Sequence, residues 1–408
     1  MATEHRENRS AARSFFGPEL LADPYPVYHM LRSKGPVLWM PALDGWLVTS
    51  YEEVSRGLRN PLLSSDRFPR AKERIEARGL KSPLNDRVKS MIHRDAPDHT
   101  RLRGLVNKAF TPQVVAAMEE HIQSIVNGLL DDVPRNGEFD LIECLAYPLP
   151  LTVIAEMLGL PTKDRGQLKG WSDDVAMFLS GDVASLSQAQ LDRIVKARGE
   201  LADYLARIIN DRRANTGGDL LSALIEAEED GGHLSDDELM STAILLLVAG
   251  NETTTNLIGN GMFALLRHPE ELRRVWGDPS LVPSAVEEML RFDSPVQLTN
   301  RIAKEDLNLA GTTVKQGQVV YLMLGAANRD PAQFPNPDRF DVTRANNKHL
   351  AFAAGAHFCV GAPLARLEAR IVVRTLRERY PNLRLSSEAP SYRENFNLRG
   401  LKALKLTY

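Results

Sequence analysis

Only two cysteines, Cys144 and Cys359, occur in the 408 residues. That excludes a disulfide scaffold and any four-cysteine iron–sulfur centre, and it fits a reducing compartment. An excess of charge of one sign is also missing. The formal net charge is −3, so nothing points to a nucleic-acid partner. Long apolar runs are absent as well: the longest, such as 243–250, fall far short of the roughly 20 residues a bilayer helix needs. The polar start, with Glu4, His5, Arg6 and Glu7, has no apolar stretch like a signal peptide. A cytoplasmic protein without a membrane anchor is therefore expected. No internal repeat, low-complexity block or Gly/Ser-rich linker divides the chain, which argues for one domain over 1–408. A glycine-rich flavin or nucleotide fingerprint is not found either.

What is present is mainly helical. From about 97 to 267, apolar residues recur at three- and four-residue spacing, as in 114–130, 151–158 and 194–209. Strand-like patches are short and lie towards the two ends. Segments 36–40 and 45–49 read as a hairpin around Leu43, Asp44 and Gly45, and 307–309, 319–324 and 404–407 follow. The expectation is a mainly α fold with a minor β region. The β-rich portion is near 25–60 and 296–408, and the helical body spans about 97–295.

One helical stretch, 235–267, stands out. Ser235 and Glu238 form a capping-box pattern at its start, and Pro269 closes it. Its first half is apolar on nearly every side, so it should be buried. Then come Ala249, Gly250, Glu252 and Thr253. Each is locally poor for a buried helix interior, and such coincidences gather at functional sites. Ala249 and Gly250 remove bulk, so a flat ligand can approach the helix backbone. Thr253 offers a hydroxyl to bound dioxygen or water, and Glu252 a carboxylate that can relay protons. The bland alternative is a packing glycine and a threonine bonded back to the carbonyl one turn earlier.

Over 352–361 the sequence reads Phe-Ala-Ala-Gly-Ala-His-Phe-Cys-Val-Gly, and a helical pattern follows. Gly355 and Gly361 permit tight turns that aim amide N–H groups at the Cys359 sulfur. The start of the next helix favours the anionic form of the thiol, and Phe352 can keep the sulfur dry. Such a frame hands one thiolate to a metal. Without it, a cysteine is usually a small buried hydrophobe, which is the reading for Cys144.

The cysteine frame and the Ala249–Thr253 stretch together resemble the cytochrome P450 family, its soluble bacterial branch in particular. The resemblance spans almost the whole chain. Glu288 and Arg291 alone would be a common solvated i,i+3 pair, but they are similar to the family's Glu-x-x-Arg signature. Arg339, within 334–341, would complete that cluster in a structural role. The resemblance implies a triangular, mostly α prism with haem b between the long helix and the cysteine loop. Cys359 would be the axial iron ligand. Ala249, Phe352 and Gly361 would contact the haem, and His99, Arg103, Arg301 and His357 match positions that hold its two propionates.

The activity so implied is haem-thiolate monooxygenation, inserting one oxygen atom from O2 into a lipophilic small molecule by hydroxylation or epoxidation. Thr253 would steady the bound oxygen and Glu252 feed protons to it. Electrons would come from an external ferredoxin and its reductase, with Arg101, Arg103, Lys108 and Arg370 as a docking patch. Pocket candidates are Leu245, Val248, Val296, Gln297, Leu298, Phe396 and Asn397, with 84–92 as a loop over the distal face. Gln297 and Asn397 could orient a polar group. Two alternatives stay open: a peroxide-driven or non-redox haem-thiolate enzyme, against which the Glu252–Thr253 pair argues, and a haem-binding sensor without turnover. A monomer is the family default.

Overall fold

The computed structural model describes residues 18–85, 89–133, 137–179, 186–227, 232–386 and 390–408. The long helix runs Asp236–Arg267. Ser235 Oγ accepts from the Glu238 amide at 3.3 Å and Glu238 Oε2 from the Ser235 amide at 2.9 Å, so two otherwise orphan donors are satisfied. Pro269 opens the following helix, Pro269–Gly277, and ends the long one. Ile244, Leu247 and Val248 are at most 2% exposed. Burying each such side chain stabilises by roughly 1.5–3 kcal/mol, which makes this helix the strut of the molecule. Helices Pro148–Met157, Arg165–Ala176, Val282–Phe292 and Ala362–Arg379 pack around it.

The strands are β1 (Val37–Met40), β2 (Gly45–Val48), β3 (Leu63–Ser64), β4 (Glu138–Asp140), β5 (Thr299–Ala303), β6 (Leu307–Leu309), β7 (Thr312–Val314), β8 (Val319–Leu322), β9 (Arg384–Leu385) and β10 (Lys405–Thr407). The largest sheet has the order β1-β2-β8-β5-β3, and only its β2–β8 pair is parallel. The anticipated hairpin is β1–β2, in register from Val37 opposite Val48 to Met40 opposite Gly45, with Asp44 turning it at φ 49°. β6 and β7 form a second hairpin, and β4-β10-β9 a small third sheet.

Two features depart from the sequence pattern. The 114–130 stretch breaks at Met118 into Pro112–Ala117 and Glu119–Asp131. Apolar spacing continues across the break, so periodicity alone does not reveal it. β4 lies inside the helical body and is held by pairing with β10, from Lys405 opposite Asp140 to Thr407 opposite Glu138. Three residues are too few for an alternation signal, and the partner is distant in sequence. Cys144 lies just after β4 and packs half-buried against the main core, as expected of a structural thiol.

Candidate functional site

The cysteine loop is locked by its own backbone. Gly355 takes φ +72°, and a Cβ there would meet the Leu58 carbonyl at 2.8 Å, so only glycine fits against the Tyr51–Arg59 helix. The Phe358 amide donates to the Gly355 carbonyl at 3.1 Å, and the Cys359 amide to the Phe352 carbonyl at 3.0 Å. Burial pushes the Cys359 thiol up, while the Gly361 amide, the charges of Arg103 and Arg366 and the Ala362 amide pull it back. The helix start and amides thus offset desolvation only in part. A bound cation is what would complete the conversion to thiolate.

A brace that the sequence did not announce supports this loop from behind. Glu287 accepts from Arg366 at 2.7 and 2.9 Å and contacts His349 at 3.1 Å. The Arg366 guanidinium also lies 4.6 Å from the centre of the Phe352 ring. Burial acts to raise the Glu287 carboxyl, but bonds from His349 and Arg366 hold it down at about 2. Beside it, the Glu288–Arg291 pair is fully buried with N–O distances of 2.7 and 2.8 Å. Its completing side chain is Arg344, at 3.2 Å from both Glu288 oxygens. Arg339 was expected there, but it lends only its carbonyl, to Arg291 and Arg344, and its side chain is exposed. The turn after Asp341 brings the later arginine inward.

On the long helix, Thr253 Oγ1 donates to the Ala249 carbonyl at 2.7 Å. Its proton is thereby spent, and its lone pairs remain as acceptors. A Cβ at Gly250 would come no closer than 3.6 Å to Ile154; alanine would fit the chain itself, so protein packing does not demand this glycine. Glu252 is buried and receives Arg393 Nη1 at 2.7 and 2.8 Å. Burial raises its carboxyl, with Arg393 opposing and the Asp173 charge adding to the rise. Arg393 is a second residue that sequence reasoning missed, because nothing local marks a partner so far along the chain.

The four anticipated anion-binding residues meet in one place. The rings of His99 and His357 lie 4.0 Å apart, and His357 Nε2 is 2.9 Å from Ser65 Oγ. Burial, with the charges of His99, Arg301 and Arg67, pushes His357 down to about 3. Arg301 bonds only Thr299 Oγ1 and the Asn300 carbonyl, each at 2.8 Å, and Arg103 bonds Asn107 Oδ1 at 3.0 Å. Among the described residues neither guanidinium has a carboxylate partner. Buried charges left so cost several kcal/mol, and the two propionates of haem fit that need.

Several pocket and docking candidates serve other purposes. Gln297 Oε1 accepts from the Tyr28 hydroxyl and its Nε2 donates to the Ser294 carbonyl, both at 2.7 Å. Asn397 Oδ1 accepts from the Leu298 amide at 2.9 Å. Both side-chain groups of Gln297 and the Asn397 oxygen are thus committed to the fold. Leu298 and Phe396 pack with Tyr25, Tyr28 and Tyr321 in a separate apolar cluster. Leu245 and Val248 are buried in the main core, and Val296 is half-buried where that core meets the largest sheet. Within the 84–92 loop, residues 86–88 lie outside the described ones. Arg101 pairs with Glu238 and stays partly exposed, and the half-buried Arg103 bonds Asn107 and feels the charge of Cys359. Lys108 is exposed and Arg370 half-buried.

Residues 66–395 match the family profile described as cytochrome P450. The chain is 43% identical over 401 residues to the cytochrome P450 monooxygenase PikC of Streptomyces venezuelae, covering 96% of this chain and 92% of that one. P450BioI, solved in complex with an acyl carrier protein ligated to hexadec-9Z-enoic acid, has a TM-score of 0.86 at 37% identity, over 96% of this chain and 99% of that one. CYP109E1 from Bacillus megaterium, in complex with testosterone, gives 0.83 at 38% identity over 94% and 99%. Likeness of this extent, in sequence and in fold, makes the chain a member of the cytochrome P450 family, a monooxygenase that binds haem through a cysteine thiolate.

Proposed function

We propose that Cys359 is the iron ligand and that the enzyme inserts one atom of O2 into a lipophilic small molecule, by hydroxylation or epoxidation. The observation that carries this reading is a lone cysteine with amides at its sulfur, beside two guanidiniums, Arg103 and Arg301, that lack carboxylate partners among the described residues. When bound, haem supplies the oxygen binding and activation that no side chain can provide.

The chain's own residues do the rest. The Gly361 and Ala362 amides, with Arg103 and Arg366, stabilise the sulfur as an anion. His99, Arg103, Arg301 and His357 would hold the propionates, and Phe352 and Ala249 would contact the cofactor. Thr253 donates to the Ala249 carbonyl, so its hydroxyl oxygen would accept a hydrogen bond in the proton path. Burial raises the Glu252 carboxyl, which favours its carrying a proton once it leaves Arg393. The apolar wall of Leu245, Val248 and Val296 suits a lipophilic substrate, in keeping with the fatty acyl chain and the steroid in the two related complexes.

Electrons come from outside the chain, from a ferredoxin and its reductase, since no flavin fingerprint or four-cysteine cluster is available. Among the described residues no helix is long and apolar enough to cross a membrane, which is compatible with a cytoplasmic setting. The test is the absorption spectrum of the reduced protein with carbon monoxide. A strongly red-shifted Soret band, lost in Cys359→His, supports the reading. A histidine-type band or the absence of haem would overturn it.

A further inference from the structure

Arg67 is a cation that neither the iron ligand nor the four propionate residues account for. It precedes the Phe68–Glu76 helix, and one Nη donates to Asn300 Oδ1 at 2.8 Å. No carboxylate pairs with it among the described residues. Its sequence neighbour Asp66 is committed to Lys89 Nζ at 2.8 Å and to the Phe68 amide at 3.3 Å. Asp95, the next acid in this region, is taken by Ser64 at 2.6 Å, the Ser65 amide at 2.8 Å and Lys304 at 3.1 Å. Arg67 is half-buried, so part of its guanidinium stays accessible.

Its surroundings are electropositive. Burial and the charge of Arg301 push the Arg67 guanidinium down to about 9. His93, whose ring sits 4.8 Å from that of Phe68, is driven down by burial and by the charges of Arg67, Lys89 and Arg198. A guanidinium held among cations, with one neutral partner, is a buried charge awaiting an anion.

Counting charges identifies that anion, on the haem-thiolate reading above. Ferric iron in a porphyrin dianion leaves one positive charge, which the Cys359 thiolate cancels. Two propionates then face Arg103 and Arg301. Arg67 remains as a third guanidinium with no carboxylate partner among the described residues. We propose that Arg67, positioned by Asn300, anchors a carboxylate, and that this carboxylate belongs to an acidic lipophilic substrate.

The holoprotein and its Arg67→Gln and Arg67→Lys variants are titrated by spin-state shift with dodecanoic and hexadecanoic acids and the matching primary alcohols. The reduced carbon monoxide spectrum of the wild type is recorded first. The wild type should bind at least one acid about tenfold or more tighter than its alcohol. Arg67→Gln should abolish that preference without changing alcohol affinity, and Arg67→Lys should retain part of it. The opposing result is an Arg67→Gln variant that weakens acid and alcohol alike and speeds haem loss to a scavenging apoprotein. That result assigns the carboxylate to the cofactor and overturns the substrate assignment. No acid preference in the wild type, or one that survives Arg67→Gln, overturns the proposal while leaving the Cys359 reading intact. A wild type lacking the thiolate spectrum overturns both.

Discussion

Glu252 and Thr253 are adjacent, but on an α-helix adjacent side chains point about 100° apart. Thr253 folds back onto Ala249, whereas Glu252 reaches Arg393 in the C-terminal segment. On the proposed roles, the acid and the alcohol would act in sequence, with rupture of the Glu252–Arg393 pair between them. Thr253→Ala should lower product formed per electron roughly tenfold and raise peroxide release, because an acceptor in the proton path is lost. Oxygen electrode and product assays check this. Arg393→Gln removes the main influence opposing burial at Glu252. The Glu252 carboxyl should then titrate higher, as read from its infrared band in pH-difference spectra and absent in Glu252→Gln.

The cysteine loop draws its rigidity from elements it does not touch in sequence. The Val282–Phe292 helix supplies two adjacent carboxylates, Glu287 and Glu288, that clamp the loop's following helix and the 334–344 meander. Glu287 is held at about 2 in the fold, below an unfolded value of about 4.3. Its contribution is complete above the unfolded value and is lost as pH falls through that window towards the folded one. Melting temperature against pH should fall across this window, and Glu287→Gln should flatten that limb. At the neighbouring carboxylate, Arg344→Met should destabilise by about 1.5–3 kcal/mol by removing charge-assisted bonds to Glu288, which keeps Arg291. Arg339→Met should cost little, since only its backbone is used. Denaturant unfolding distinguishes the two.

At the scale of the molecule, guanidiniums without carboxylate partners among the described residues would make the cofactor part of the fold's charge balance. Haem removal should lower the melting temperature, and anions such as sulfate should restore part of the loss. Scanning calorimetry of apo and holo protein checks both. Wherever chemistry lies in contiguous residues, it was legible in the chain. The capping box at Ser235, the Ala249–Thr253 stretch, the β1–β2 hairpin and the glycine-framed Cys359 all rest on local rules of turn, cap and period. The histidines and arginines of the anion site were legible too, though only through family resemblance, since their spacing carries no period. Tertiary structure alone decided the pairings. It chose Arg344 over Arg339, joined Arg393 to Glu252, set Arg67 against Asn300, and turned Gln297 and Asn397 into scaffold. Each choice depends on which side chains long-range packing brings within about 3 Å of one another. Local sequence limits that packing, but it takes the whole core to select the partner.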